Sequence, residues 1–564
     1  METSQIGLYV LYTIVALYVL RKIVIRLRLS RAKHPSLTGH SKMMRRISKW
    51  IPSYEFDEDH FFNCDNAPDI IARQRENGFK NLVLYFKIKY PNSLEISKQL
   101  DNKISDIAFI NKYRVPFQFS RYVNANINHG NFVTASFGTQ VRDIDENLSY
   151  DLTGSYGVNV FGYDFYKECM TKGMARVTEL GPVLGSYHPV IVDNVNRLRK
   201  ISGLDEISFH MSGTEAVMQA VRLARYNTGK SHLVRFCGAY HGWWDGVQPG
   251  IGNQRVTNDV YTLKDMDKDT LQVLKTRKDI ACVLVNPLQA MHPNDNAPSD
   301  SMLIASGRSA HFDREAYTVW LKKLQKVCND RGIVLILDEV FVGFRLAYGG
   351  AQEYFKIKAD MVTYGKTLGG GFPVGVVCGK HQLMKRFKEK KPLNISFARG
   401  TFNSHPYVMA AMNEFLKGIE QPYIRATYDN IDIFWNNRVN ELNLRLASKN
   451  LPVKIINLAS IWTVIYSVPC RYNWMLQFYL RAQGLAISWI GTGRIIMSHN
   501  FSDEDYEAVM QRFVTAVELM QNDGWWWQNE TLTNRAIKKQ IFYEMLTSFF
   551  KVNLPWIPHS NLMK

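Results

Sequence analysis

The stretch "VTYGKTLGGGFPVG", residues 362–375, places one lysine inside a glycine-rich run that contains no other charge. A lysine on a solvated loop, which is the common case, needs no glycine beside it, whereas glycine lets backbone approach a ligand closely. A lysine whose pKa is lowered can form a Schiff base with a carbonyl group. The stretch therefore raises the hypothesis that Lys366 holds a planar, phosphorylated ligand.

Two further motifs of the same region lie at the ends of predicted elements, one at the start of a helix and one at the end of a strand. "MSGTEA", residues 211–216, leads into a predicted helix, where bare backbone N–H groups suit a phosphate, although Ser and Thr are also ordinary helix caps. "LILDEV", residues 335–340, ends an apolar strand with Asp338 and Glu339. Ligands of open parallel sheets bind beyond the carboxyl ends of strands. An acidic residue there could bind a metal, pair with a cation or cap a turn, so each motif is weak alone.

The three motifs together match the requirements of pyridoxal 5'-phosphate. The lysine would hold the cofactor's aldehyde, and the strand-end aspartate would keep its pyridine nitrogen protonated. The start of the helix and its dipole would hold the phosphate. The sequence therefore predicts pyridoxal phosphate as the cofactor, and we expect no metal site.

The surrounding sequence predicts an α/β domain. Short apolar runs suited to buried parallel strands alternate with amphipathic segments that end in glycine. The runs are "SHLVRF", "ACVLVN" and "IVLILDEV", and the amphipathic segments include "GTEAVMQAVRLARYNTG" and "REAYTVWLKKLQKVCNDRG". Such alternation is typical of a parallel sheet covered by helices.

Five segments occur in order along the chain: "HMSGTEAVMQAVRLAR", "FCGAYHGWWDG", "LDEVFVGFRLAYGGAQEYF", "ADMVTYGKTLGGGFPVG" and "RGTFNSHPYVMAA". Together they resemble the class III aminotransferases of pyridoxal-phosphate fold type I, most of all the glutamate-1-semialdehyde aminomutase branch. The resemblance covers roughly residues 117–520. It implies a large domain with a mainly parallel sheet between helices and a smaller α+β C-terminal domain.

The resemblance also implies a role for individual residues. Lys366 would form the Schiff base with the cofactor and later carry the proton between the substrate Cα and the cofactor C4′. Asp338 would pair with the pyridinium nitrogen. Val340 would pack on one face of the ring and Tyr240 would stack on the other. His241 would support a neighbouring group more often than react itself.

The remaining implied contacts concern the phosphate and the subunit interface. The phosphate would be held by Ser212, Gly213 and Thr214. Thr401 would reach the phosphate of the partner subunit, which predicts a homodimer with shared sites. Glu339 and Arg345 would support the structure without taking part in the chemistry.

Two departures from the family pattern bear on the reaction. The chain has Asn286–Pro287 where the family often has Glu-Pro. The position of the active-site glutamate of the aminomutase branch falls on or near Gly493, with Arg494 next to it. An arginine would attract the carboxylate or phosphate of an amino donor or of a carrier-bound acceptor. The alternative, that Arg494 is only solvated or structural, stays equally open.

The N-terminus predicts a single-pass membrane anchor. "IGLYVLYTIVALYVL", residues 6–20, carries no charge, and the ten Lys and Arg residues between Arg21 and Lys49 are accompanied by no Asp or Glu. The run is short for a span unless Arg21 and Lys22 extend their side chains to the interface. The positive-inside rule then places the catalytic domain on the cytoplasmic side. The alternative is an amphipathic helix that lies on the surface.

The composition excludes several other classes. Of the 564 residues, 46% are hydrophobic and 21% charged, which is ordinary for a globular protein. The net charge of +18 is concentrated beside the N-terminus, and no zinc-finger or RNA-binding signature accompanies it. The seven cysteines are scattered, which indicates a reducing compartment without a disulfide framework.

These observations predict a sequence of regions: 1–30 anchor, 31–114 linker and N-terminal extension, 115–204 N-terminal segment of the aminotransferase, 205–395 large cofactor-binding domain, 396–524 small C-terminal domain and 525–564 aromatic tail. The main hypothesis is a membrane-anchored aminotransferase of a biosynthetic pathway, with a small-molecule amino donor and an aldehyde or keto acceptor that is lipid-like or carrier-bound. The alternatives are an aminomutase, an acyl-condensing enzyme with the same cofactor, and a catalytically silent scaffold. We expect no nucleic-acid partner.

Overall fold

The computed structural model describes residues 2–34, 41–101, 103–127, 130–248, 252–255, 257–292, 311–488 and 494–553. The helices are α1 Glu2–Ala32, α2 Ser41–Ser48, α3 Glu58–Asn63, α4 Asp69–Lys89, α5 Pro91–Leu100, α6 Ser105–Tyr113, α7 Phe117–Asn126, α8 Tyr163–Val177, α9 Val190–Ser202, α10 Gly213–Thr228, α11 Lys268–Thr276, α12 Arg314–Arg331, α13 Gly350–Tyr354, α14 His381–Met384, α15 Pro406–Gly418, α16 Pro422–Ala426, α17 Ile431–Ser448, α18 Leu476–Ala482, α19 Asp503–Asn522 and α20 Asn534–Asn553.

The strands are β1 Val133–Phe137, β2 Gln140–Asp143, β3 Leu148–Asp151, β4 Glu206–His210, β5 His232–Phe236, β6 Val260–Leu263, β7 Ile280–Val285, β8 Val334–Asp338, β9 Met361–Gly365, β10 Gly375–Gly379, β11 Phe387–Lys388, β12 Lys391–Ile395, β13 Val453–Leu458, β14 Ile461–Tyr466, β15 Leu485–Ala486 and β16 Arg494–Ile496. Among the described residues, seven strands form the central sheet, in the order β4-β10-β9-β8-β7-β5-β6. Only β10 runs antiparallel to its neighbours in this sheet. The predicted mainly parallel sheet is confirmed.

Helices cover both faces of the central sheet because its strands are apolar on both sides. All residues of β7, β8 and β9 are buried. Along β7, Cys282 and Leu284 join the apolar cluster formed with α10, whereas Val283 and Val285 join the larger cluster that includes α12. The alternation follows from the two-residue period of a strand, which sends successive side chains to opposite faces.

The regions before and after the central sheet meet each other. Strand β15, from the C-terminal part, pairs in parallel with β3, from the N-terminal part, so that Leu485 lies opposite Tyr150. Together with β1 and β2 they form a second sheet. The strands β13, β14 and β16 form a third sheet. Helix α17 packs against β13, and Tyr506 of α19 lies beside Trp462 of β14.

Two buried ion pairs attach the N-terminal helices and the tail. Arg75 of α4 pairs with Asp65 at 2.8 Å, and both side chains are almost fully buried. The Nε of Arg75 also donates to the carbonyl of Gly524. Arg471 pairs with Glu544 of α20 at 2.6 Å. Breaking such buried pairs is costly because it leaves one charge unpaired, so these contacts fix the extension and the tail to the main body.

The N-terminal part of helix α1 is exposed, and its C-terminal end contacts the domain. Its segment Gln5–Ala32 is long and apolar enough to cross a membrane, alone in this among the described helices, and the apolar window is not buried. Ala32 is fully buried, and its carbonyl accepts a hydrogen bond from the amide of Lys264 at 2.9 Å. Lys33 forms a bridge with Leu263 of the edge strand β6. The helix therefore continues into the domain without a break.

Candidate active site

A cavity of about 270 Å³ lies at the carboxyl ends of the parallel strands. Strand β8 ends at Asp338 and β9 ends just before Lys366, and because the two strands are parallel neighbours their ends meet at the same edge of the sheet. The cavity is lined by Ser212, Gly213, Thr214, Val217, Gly238, Ala239, Tyr240, His241, Gly242, Asn286, Leu288, Gln289, His292, Asp338, Val340, Phe341, Lys366 and Arg494.

Lys366 stands in a tight turn that only a glycine-rich sequence can form. Its own backbone has a φ of 48°, in the left-handed region, and it opens a 3₁₀ turn that ends at Gly369. Gly370 has a φ of 60°, and a Cβ there would lie 2.5 Å from the carbonyl oxygen of Ala411. Strained backbone of this kind persists where the surroundings impose it, often at functional sites. The glycines thus serve the close packing of the turn that presents the lysine.

The surroundings of Lys366 favour its neutral amine. Burial lowers the pKa of Lys366, and the positive charges of Arg494 and Arg345 lower it further, while Asp338 acts in the opposite direction. The Nζ atom lies 5.3 Å from the centre of the Phe341 ring. A neutral amine is the form that acts as a nucleophile or accepts a proton.

Asp338 is held in one orientation by three hydrogen bonds. Its Oδ1 accepts from the amide of Val340 and from the hydroxyl of Thr363, each at 3.2 Å. Its Oδ2 lies 2.7 Å from Nδ1 of His241, which donates because a carboxylate can only accept. Burial lowers the pKa of His241, while the hydrogen bond to Asp338 acts in the opposite direction. The arrangement presents a fixed negative charge to the cavity.

The start of α10 forms a narrow cradle beside these groups. Ser212 caps the helix and accepts a hydrogen bond from the amide of Glu215 at 3.3 Å. A Cβ on Gly213 would lie 2.5 Å from Cγ1 of Val340, so backbone and not a side chain lines the cavity there. A helix N-terminus with exposed backbone suits a phosphate group. Lysine, aspartate and cradle thus fit pyridoxal phosphate.

Replacing Gly213 by alanine should weaken cofactor binding by about 10- to 100-fold, because the added methyl group collides with Val340 and displaces the start of α10. Overpacking of this kind typically costs about 1–3 kcal/mol. Titration of the apoenzyme with the cofactor, followed by absorbance, measures the change in Kd. The double variant G213A/V340A, which makes room for the methyl group, should recover part of the loss. Unchanged affinity of G213A would contradict the cradle.

Nine of the eighteen lining residues were not among the predicted site residues, and three of these nine are notable for their contacts. Asn286 donates from Nδ2 to the carbonyl of Tyr240 at 3.0 Å and so fixes the backbone of that residue. The Nε2 of His292 lies 3.0 Å from the hydroxyl of Thr463. Phe341 lies close to both Lys366 and Arg494. Asn286 and His292 follow the end of β7, and this position at the carboxyl edge was the signal that could have identified them.

The predicted residues outside the cavity divide into two kinds. Glu339 and Arg345 are buried next to the site and do not line it. The Oε2 of Glu339 accepts from the amide of Ala351 at 2.6 Å, and burial raises its pKa to about 8. The Nη1 of Arg345 donates to Ser460 at 2.8 Å.

Thr401 is exposed and lies outside this cavity in the single chain. Gly493 lies outside the described residues, whereas its neighbour Arg494 lines the cavity.

Comparison with known proteins identifies the family of the chain. The sequence model of the class-III aminotransferases matches residues 122–517. The chain is 30% identical over 354 residues to the glutamate-1-semialdehyde 2,1-aminomutase of Methanocaldococcus jannaschii, covering 60% of this chain and 76% of that protein. It is 31% identical over 353 residues to the enzyme of the same name from Methanococcus maripaludis, with coverage of 60% and 76%.

Solved structures show the same fold. A glutamate-1-semialdehyde aminomutase from Pseudomonas aeruginosa superposes with a TM-score of 0.64 at 17% identity, covering 79% of this chain and 99% of that one. A transaminase with bound pyridoxal phosphate gives a TM-score of 0.59 at 24% identity, with coverage of 75% and 99%. The chain belongs to the class-III aminotransferase family, and pyridoxal phosphate is its cofactor.

Proposed function

We propose that the protein is a membrane-anchored aminotransferase, which moves an amino group from a donor to a separate aldehyde or keto acceptor in a biosynthetic reaction. The observation that carries this proposal is the position of Arg494, which lines the cavity together with Lys366 and lies 5.9 Å from the centre of the Phe341 ring. A guanidinium so placed offers a carboxylate of the donor a charge-assisted, two-pronged hydrogen bond.

In this proposal each residue has a distinct task. Pyridoxal phosphate, when bound, supplies an aldehyde and an electron sink. Lys366 holds the cofactor covalently and afterwards moves the proton at the substrate Cα, a role that its lowered pKa favours. Asp338 keeps a positive charge on the ring nitrogen, and His241 orients Asp338. Tyr240 and Val340 enclose the ring from its two faces.

Further parts of the proposal concern the phosphate and the assembly. Ser212, Gly213 and Thr214 hold the phosphate at the start of α10, which the lining of the cavity supports. Thr401 completes the site of a partner subunit in a homodimer, which agrees with its exposure in the single chain. The division into regions 115–204, 205–395 and 396–524 remains part of this proposal, with β15 joining the first and the last of them.

A glutamate-1-semialdehyde aminomutase is the second candidate, because relatives that are about 30% identical carry this name. A mutase must hold one small acidic substrate through both half-reactions, whereas an aminotransferase releases a keto product and then admits an acceptor. The test is to mix the purified enzyme with single amino donors and to follow the cofactor spectrum. Formation of the pyridoxamine form, followed by its reversal with an added aldehyde or β-keto acyl compound, is expected. Efficient conversion of glutamate-1-semialdehyde to 5-aminolevulinate without an added donor would overturn the proposal.

Replacing Arg494 by glutamine should lower kcat/KM for carboxylate donors on the order of 10²-fold, because the carboxylate loses its charged partner. Donors without a carboxylate, such as simple primary amines, should be affected much less. For carboxylate donors, kcat/KM of the charge-retaining variant R494K should lie between the values of the unmodified protein and of R494Q, since lysine offers a point charge without the planar guanidinium. Equal losses for both classes of donor would show that Arg494 only supports the structure.

The anchor is the part of the proposal that rests on α1. Deleting residues 2–20 removes the exposed apolar segment and leaves Leu29 and Ala32, which pack against the domain, in place. The shortened protein should be recovered without detergent and should still bind the cofactor, while the full chain should remain with the membrane after washing with high salt. Recovery of the full chain in the soluble fraction without detergent would contradict the anchor.

A further inference from the structure

Helix α2 borders another cavity, which shares no lining residue with the first and has charged side chains of one sign only. The cavity has about 260 Å³ and is lined by Arg45, Arg46, Ser48, Lys49 and Gln254, a set called here the α2 pocket. Three of these side chains are cationic and the other two are neutral hydrogen-bonding groups. Among the described residues, no acidic side chain lines it.

One arginine of the α2 pocket is held in place and has an unsatisfied donor. The Nη1 of Arg45 donates to the carbonyls of Asn253 and Arg255, at 2.9 and 3.2 Å. Its Nε is buried and has no hydrogen-bond partner within the described part of the chain. A buried donor without a partner costs free energy that an incoming acceptor recovers. A fixed guanidinium beside two further cations is the arrangement that binds phosphate oxygens.

Asp245, a carboxylate of the segment that contacts Arg45, is already engaged. Asp245 accepts a hydrogen bond from Nδ2 of Asn253 at 2.8 Å and pairs with Arg255 at 3.7 Å. It therefore stabilises the segment that holds Arg45 in place. Among the described residues, no carboxylate forms an ion pair with Arg45, Arg46 or Lys49, so these cations can receive an anion from outside.

Exposed apolar side chains run beside the α2 pocket. Met43, Ile47 and Trp50 are 53%, 38% and 67% exposed. Met43 and Ile47 lie one turn apart on the same side of α2. Trp50 follows in the turn after the helix, with its ring 6.1 Å from that of Phe549. Exposed apolar residues next to cations, with a tryptophan among them, are typical of a helix that lies in the interface of a membrane. The source of the phosphate that these residues favour is therefore a lipid headgroup.

We propose that the α2 pocket binds the phosphate of an anionic phospholipid headgroup, while Met43, Ile47 and Trp50 enter the interfacial layer. The binding of phosphate follows from the pocket itself. The assignment of its source to a lipid rests on the membrane association in the proposed function, and the two can fail separately.

The test uses the full-length holoenzyme in micelles of a neutral detergent, where binding does not depend on insertion of α1 into a bilayer. Calorimetric titration with dioctanoyl phosphatidic acid, dioctanoyl phosphatidylcholine and inorganic phosphate compares the possible ligands. Saturable binding of phosphatidic acid is expected, at least tenfold tighter than that of the other two. The variant R45Q/R46Q/K49Q should lose at least tenfold in this affinity and keep the cofactor absorbance, which shows that it is folded.

A matched variant separates a built site from diffuse attraction. R26Q/R28Q/R31Q removes the same number of charges from the exposed part of α1 and should bind phosphatidic acid as the unmodified chain does. An equal loss in both triple variants, or the absence of saturable binding, would overturn the pocket. Equal affinity for inorganic phosphate and phosphatidic acid would overturn the assignment of the phosphate to a lipid. In that case M43S/I47S should leave the affinity for phosphatidic acid unchanged. If the lipid is the source, M43S/I47S should weaken the binding of phosphatidic acid alone.

Discussion

Replacing Lys366 by alanine is expected to lower the rate of amino transfer by about 10⁴-fold, the largest effect that we predict for a single substitution. The variant loses both the covalent link to the cofactor and the group that carries the proton, and proton transfer alone contributes up to about 10⁴-fold. After reduction with borohydride and digestion, the cofactor should be found on the peptide that contains Lys366 in the unmodified protein and on no peptide of the variant.

The matched control for this experiment is Lys358→Ala. Lys358 is exposed and lies just before β9, the same strand that leads to Lys366. This variant should keep both the covalent cofactor and the activity. Covalent cofactor at an unchanged level in K366A would show that another lysine holds it, and the proposed roles of the cavity residues would have to be reassigned.

Replacing Asp338 by asparagine is expected to lower kcat on the order of 10²- to 10³-fold, as does the loss of other buried electrostatic contacts with a reacting group. Asparagine keeps the shape and can still accept from Val340 and Thr363, but it has no charge with which to hold a proton on the ring nitrogen. The cofactor should still be bound through Lys366 and the start of α10. The spectrum of the bound cofactor and kcat, measured together, separate the two effects.

A second substitution shows whether the effect belongs to the site. Asp330→Asn alters a surface carboxylate that pairs with Lys326 at 3.2 Å, and it should leave kcat unchanged. A value of kcat for D338N within a few-fold of the unmodified protein would contradict the role of Asp338, whatever the spectrum shows.

The parts of the fold that the sequence predicts correctly are those set by local patterns. The apolar runs of β7 and β8 lie within one stretch of chain each, and their carboxyl ends indicate where a ligand binds. Lys366 and Asp338 could therefore be found from short motifs, as could the helix start at Gly213. The structure brings all three to one cavity.

The features that could not be predicted depend on contacts between distant parts of the chain. The pairing of Leu485 with Tyr150 leaves no local pattern, because a two-residue strand has no period of its own. The attachment of α20 through Arg471 and Glu544 joins two residues that read as ordinary surface charges in the sequence. Phe341 lay within a quoted motif, and only the geometry shows that its ring lies 5.3 Å from Nζ of Lys366 and 5.9 Å from the guanidinium of Arg494.

The uninterrupted α1, with Ala32 and Lys33 docked on β6, has a consequence for how the enzyme would reach its substrates. If α1 spans the bilayer as proposed, the part from Lys22 to Ala32 acts as a rigid spacer, which rises about 15 Å at about 1.5 Å per residue. No loop entropy would be lost when the catalytic body approaches the membrane, since no flexible tether intervenes there. The cavity would then stay at a constant distance from the membrane surface. The length of a membrane-resident acceptor, and not movement of the catalytic domain, would decide which molecules reach Lys366.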